Sequence, residues 1–174
     1  MLDDSEKSRL ADAWIALQKA EMHSEMYKSH FWVFDNVLDL AETSPLECWD
    51  VVMKIFMKEP DDELLAIMAA CPVEDLLGEH GEQIIGLVEE AAQKYPRFRE
   101  MLSGVWQISI SDEIWHRLQI AIAAGKPQRV VPLESGVYHA AWRSALPSMR
   151  LLNSVRLMRS SCGMRGSALA RTRG

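Results

Sequence analysis

Residues 71–106, CPVEDLLGEHGEQIIGLVEEAAQKYPRFREMLSGVW, constrain the fold more than any other part of the chain. Apolar residues recur there three and four apart, and Pro72, Gly81 and Pro96 punctuate them. Proline suits a first helical turn, where its missing N–H costs nothing, and glycine suits the left-handed position just past a helix end. The pattern predicts three consecutive helices. Pro72 opens the first, with Glu74 and Asp75 in its opening turn, Leu76 and Leu77 inward, and Gly81 as its stop. The second covers 82–94, with Ile84, Ile85, Val88, Ala91 and Ala92 on one face. The third starts at Pro96 and carries Phe98, Met101, Leu102, Val105 and Trp106.

The same logic extends in both directions. Leu10, Ala13, Trp14, Leu17 and Ala20 form a helical stripe behind Asp3, Asp4 and Ser5, so a first helix is expected over about 5–26. HFWVFDNVLDL, residues 30–40, suits a second helix or a continuation of the first; period alone does not separate the two. In Ser44-Pro45-Leu46-Glu47, Ser44 can cap, Pro45 takes the first helical position and Glu47 can close a capping box. Trp49, Val52, Met53 and Phe56 follow at helical spacing. Asp61 to Glu63 after Pro60 start a short helix with Leu64, Leu65 and Met68 inward. Ser111 caps another through Trp115, Leu118 and Ile122, closed by Gly125.

No convincing strand interrupts this series; the alternation Trp106, Ile108, Ile110 is short and isolated. The expected fold class is all-α: seven to eight short helices whose brief connections favour antiparallel packing. Pro-apolar-Glu recurs at 45–47 and 72–74, which raises a helical repeat. Two copies fall short of the three a solenoid needs, and Pro and Glu are good first-turn residues anyway.

At 174 residues, with 48% hydrophobic and 25% charged, the chain can bury a sizeable core. No apolar run reaches the roughly 18–20 residues of a membrane span, and the acidic, polar start MLDDSEKSRL is unlike a secretory signal. The expected location is the cytoplasm. Cys48, Cys71 and Cys162 are odd in number and form no CxxC pair, so neither a disulfide framework nor a cysteine zinc site is expected. Cys48 and Cys71 read as small core hydrophobes.

The net charge of −6 conceals a division. Residues 1–125 carry 24 acids against 10 Lys and Arg, a net of −14, whereas residues 126–174 carry 9 Lys and Arg against Glu134, a net of +8. Such asymmetry divides the chain into an acidic helical domain, 1–125, and a basic, partly helical and partly disordered tail, 126–174. Within the tail, Met149, Leu152, Val155 and Met158 beside Arg150, Arg156 and Arg159 suit a basic amphipathic helix. Residues 148–160 can therefore contact an anionic membrane or a partner groove. Nucleic acid is disfavoured, because aromatics are not interleaved and the body would repel phosphate. The Arg/Ser/Gly/Leu/Ala bias also looks like translation in a shifted frame, a tail with no selected function.

Candidates for chemistry are few. Glu74, Asp75, Glu79 and Glu82 surround His80, but helix-start electrostatics accounts for acids in first turns. His80 has no HExxH-type spacing, and His23 and His30, seven apart, lack a third ligand. His116 reads as a solvated flank. The six tryptophans sit at stripe positions and read as core. No phosphate-binding loop, dinucleotide fingerprint or nucleophile elbow is present, and neither cofactor nor metal is expected.

SPLECWDVVMKI, PVEDLLGEHG, IIGLVEEAA and PRFREMLSGVW together resemble a family of small bacterial helical proteins known only as a domain of unknown function. The resemblance covers about 44–115; it implies no activity and brings no site residues. The sequence therefore suggests a non-enzymatic interaction module with Glu74, Asp75, Glu79, His80 and Glu82 as candidate surface. A basic partner, in an immunity- or antitoxin-like role, is the concrete form. The alternatives are a small hydrolase or metal-dependent enzyme using those acids and His80, and a peripheral membrane protein acting through 148–160.

Overall fold

The computed structural model describes residues 1–124, and every regular element among them is helical. In chain order these are α1 (Asp4–Lys19), α2 (Glu25–His30), α3 (Trp32–Thr43), α4 (Pro45–Met57), α5 (Asp62–Met68), α6 (Glu74–Lys94), α7 (Pro96–Met101) and α8 (Asp112–Ala123). A π-helical turn, Ala69–Val73, joins α5 to α6, and a 3-10 turn, Leu102–Gly104, follows α7. The all-α expectation holds, and no strand occurs among the described residues, 106–110 included. Gly125 and the proposed helices of the tail lie outside the described residues.

Local capping explains most helix starts. The Asp3 carboxylate accepts the Glu6 amide at 2.8 Å, and Glu6 in turn accepts the Asp3 amide at 2.8 Å. This capping box satisfies two N–H groups that the helix leaves without partners. Asp61 accepts from Leu64 N at 2.9 Å, and Ser111 accepts from Ile114 N, so α5 and α8 begin where expected. The first helix stops at Lys19, short of the expected 26. His23 adopts a left-handed backbone, φ 69°, and extended Ser24 caps α2 as a separate helix. Ser44 makes no side-chain cap to α4, and Glu47 accepts the Leu2 amide at 3.0 Å instead of closing a box.

Two expectations around the central stretch are corrected. Pro72 opens no helix; it lies buried inside the π turn, in an unbroken helical run from α5 into α6. Proline lacks an N–H and clashes with the carbonyl four residues back, and the wider turn accommodates both defects. Gly81 is likewise no stop, since no described glycine has positive φ and α6 continues to Lys94. The interruption falls one residue earlier, at His80 (φ −133°, ψ 33°), as a kink within α6. The echo between 45–47 and 72–74 therefore does not recur in the backbone.

The core lies where α1 packs on α4, α3 on α4 and α6, and α6 on α8. Trp14 and Leu17 enter from α1, Val33 and Val37 from α3, Val51, Val52 and Ile55 from α4, and Ile84, Ile85 and Val88 from α6. Burying one large apolar side chain contributes about 1.5–3 kcal/mol. Phe98, fully buried on α7, meets Trp49 edge-on at 5.8 Å and Phe56 at 5.1 Å. Not every tryptophan is core: Trp32 is 39% exposed, with the Arg9 guanidinium 5.8 Å from its ring. In α3 the buried residues are Val33, Val37 and Ala41, while Phe31 and Phe34 are half-buried at its edge.

Two features of the frame give measurable expectations. Glu59, just after the α4 cap, has φ 52°, a left-handed conformation that costs a side-chain-bearing residue about 1 kcal/mol. Glu59→Gly is expected to stabilise the protein by about 0.5–1 kcal/mol in chemical denaturation; a loss of stability would refute the assignment of strain there. Elsewhere, Arg117 of α8 grips Glu89 of α6 in a two-pronged pair, Nε to Oε1 at 2.9 Å and Nη2 to Oε2 at 2.6 Å. The guanidinium holds the Glu89 carboxyl below its ordinary range. Because the folded value is depressed, the pair's contribution is complete above the unfolded value and vanishes as pH falls through the folded one. In an NMR titration, Glu89 should titrate low in the parent protein and move upward in Arg117→Ala. An unchanged midpoint would refute the coupling.

Candidate interaction surface

The five residues singled out by sequence do not share one surface. Glu74 and Asp75 are buried, 6% and 5% exposed, at the start of α6. The Glu74 carboxylate accepts the Trp106 backbone N–H at 3.3 Å, so the segment after α7 roofs this turn. Gly78 permits the same approach, since a Cβ there would lie 3.1 Å from Ser109 Cβ. Glu79 and Glu82 are exposed, and His80 between them is half-buried. His80 Nε2 carries a proton and donates it to the Glu42 carbonyl at 2.8 Å, which ties the kink of α6 to the last turn of α3. As surface residues, Glu74 and Asp75 are corrected to interior; Glu79, His80 and Glu82 remain at or near solvent.

That tie brings α3 to the site. Asp35, Asp39 and Glu42 stand at i, i+4 and i+7, so they share one face of α3, and all three are exposed. Glu79 and Glu82, both exposed, flank His80 in the sequence of α6, and the His80 ring bonds the backbone carbonyl of Glu42. The spacing on α3 was visible in the sequence. What it could not show was where the cations go.

Of the ten Lys and Arg of residues 1–124, nine engage groups outside α3, and Arg9 lies against Trp32 at the start of α3. Lys7 reaches Asp50 at 2.7 Å, Lys54 reaches Asp4 at 2.7 Å and Lys58 reaches Asp12 at 2.8 Å, lacing α1 to α4. Lys19 approaches Asp61 at 3.7 Å, Lys28 pairs with Glu25, Arg97 with Asp62 and Arg117 with Glu89. Arg9 lies by Trp32, Lys94 by the Tyr95 ring, and Arg99 donates to the Ala92 carbonyl. These pairs leave their mark on titration, with Asp4 lowered by Lys54 and Lys7 raised by Asp50. Among the described residues, no cation pairs with Asp35, Asp39, Glu42, Glu79 or Glu82.

Placement gives little support to chemistry. Two of the acids near His80 face the interior and two face solvent, so they do not converge on one centre. Among the described residues, no three His, Cys, Asp or Glu side chains are disposed to hold a metal ion. Cys48 is buried, its Sγ donates weakly to the Val37 carbonyl at 3.8 Å, and burial pushes its thiol up to about 12. It is thus protonated and unreactive at neutral pH. Cys71 is half-buried in the π turn. No helix among the described residues is long and apolar enough to cross a membrane.

A family model covering residues 20–125 matches the chain, and its description is a family of unknown function, DUF6869. The match spans more than half of the sequence, so the protein belongs to that family. It takes in α2 through α8 and begins directly after the last residue of α1. The resemblance over 44–115 to a helical domain of unknown function is confirmed by it. No curated protein and no solved structure matches the chain.

Proposed function

We propose that the protein is an interaction module that engages a basic protein partner through the acidic edge formed by α3 and the middle of α6. The observation that supports this reading is the allocation of charge. Among the described residues, no Lys or Arg forms an ion pair with Asp35, Asp39, Glu42, Glu79 or Glu82, while Lys7, Lys54, Lys58 and Arg117 pair with other acids. Exposed like charges within a Debye length of about 8–10 Å reinforce one another's potential. Such a patch raises association rate and selectivity toward a complementary partner more than it raises final affinity. The edge is also held in place, because the His80–Glu42 bond fixes the spacing of its two helices. An immunity- or antitoxin-like role, in the cytoplasm, is the form of this reading that the size and charge of the chain suggest.

The test combines recovery of a partner with selective neutralisation. A stoichiometric basic protein should co-purify with the tagged full-length chain. The triple variant Asp35→Asn, Asp39→Asn, Glu42→Gln should slow association with it by about tenfold at low salt, an effect that shrinks as ionic strength rises. The comparison variant Asp12→Asn, whose carboxylate already pairs with Lys58, should leave the rate unchanged. Failure to recover a basic partner, or equal slowing in both variants, would count decisively against the assignment. The membrane alternative concerns 148–160, outside the described residues, and liposome co-sedimentation of the full chain against one ending at residue 125 tests it separately.

A further inference from the structure

We draw no further inference here: the strongest candidate, the surface patch of Met22, Met26 and Trp32 around α2 and the start of α3, is an exposed apolar face, and nothing in the structure shows what covers it.

Discussion

Phe98→Ala is expected to lower the free energy of unfolding by about 3–5 kcal/mol, the loss typical of truncating a fully buried aromatic side chain. Phe98 is fully buried, and its ring meets Trp49 and Phe56 edge-on at interplanar angles of 81° and 90°. Truncation removes the transfer free energy of the ring, leaves a cavity, and forfeits edge-to-face pairs worth about 0.5–1.5 kcal/mol each. The consequence is amplified locally. α7 has six residues, too few to be stable alone, and the chain relies on Phe98 and Met101 to hold it against the core. Domains of this size have about 5–15 kcal/mol in total, so the variant should be marginal, with a much earlier urea midpoint. Phe98→Leu fills most of the space and should lose far less. If alanine cost under about 1 kcal/mol, the ring would not be the anchor described.

The second large effect is a contrast within one helix. Gly81 and Gly86 both lie in α6, and propensity alone predicts that alanine at either gains about 0.5–1 kcal/mol. Their surroundings differ. A Cβ at Gly81 would stand 2.9 Å from Ile114 Cγ1 and 3.1 Å from Cγ2, whereas a Cβ at Gly86 meets nothing within 4 Å. Ile114 is 4% exposed on α8, and a β-branched side chain has little rotameric freedom to retreat. Gly81→Val is therefore expected to cost about 2–3 kcal/mol by forcing α8 outward. Gly86→Ala should stabilise by the propensity term. Chemical denaturation of the two variants reads both signs directly, and a stable Gly81→Val would show that α8 does not rest on α6 at this point.

What the sequence made legible follows from the range of the interactions involved. Asp61, Ser111 and Pro96 announce their helices because a cap is a contact within three residues and proline restricts its own turn. The sequence is ambiguous at Gly81, because the same residue serves a left-handed stop and a close helix crossing. The crossing partner, Ile114, lies 33 positions further along the chain. The sequence is ambiguous at Pro72 too, because a π turn and a helix start both accommodate a missing N–H. Glu74 and Asp75 look like solvated first-turn acids until the Trp106 segment, remote in sequence, closes over them. Of the candidate surface, the sequence reading singles out Glu79, His80 and Glu82 and misses Asp35, Asp39 and Glu42. Their i, i+4, i+7 spacing is present in the sequence, but that no described cation pairs with them depends in part on α1 lying against α4, where Lys7, Lys54 and Lys58 find their aspartates.

The run from α5 through the π turn to α6 has one more consequence, which is a matter of length. Elements of 7, 5 and 21 residues follow one another without a loop. As one straight α-helix they would measure about 50 Å at 1.5 Å per residue. A globule of about 120 residues is roughly 35 Å across. A straight rod would overhang by several turns, with Leu64 and Leu65 at one end or Ala91 and Ala92 at the other carried out into water. The bend at His80 interrupts the straight rod before that happens. The bend is thus a condition of containment: it lets the longest helical run of the described residues keep its two apolar ends inside a small domain.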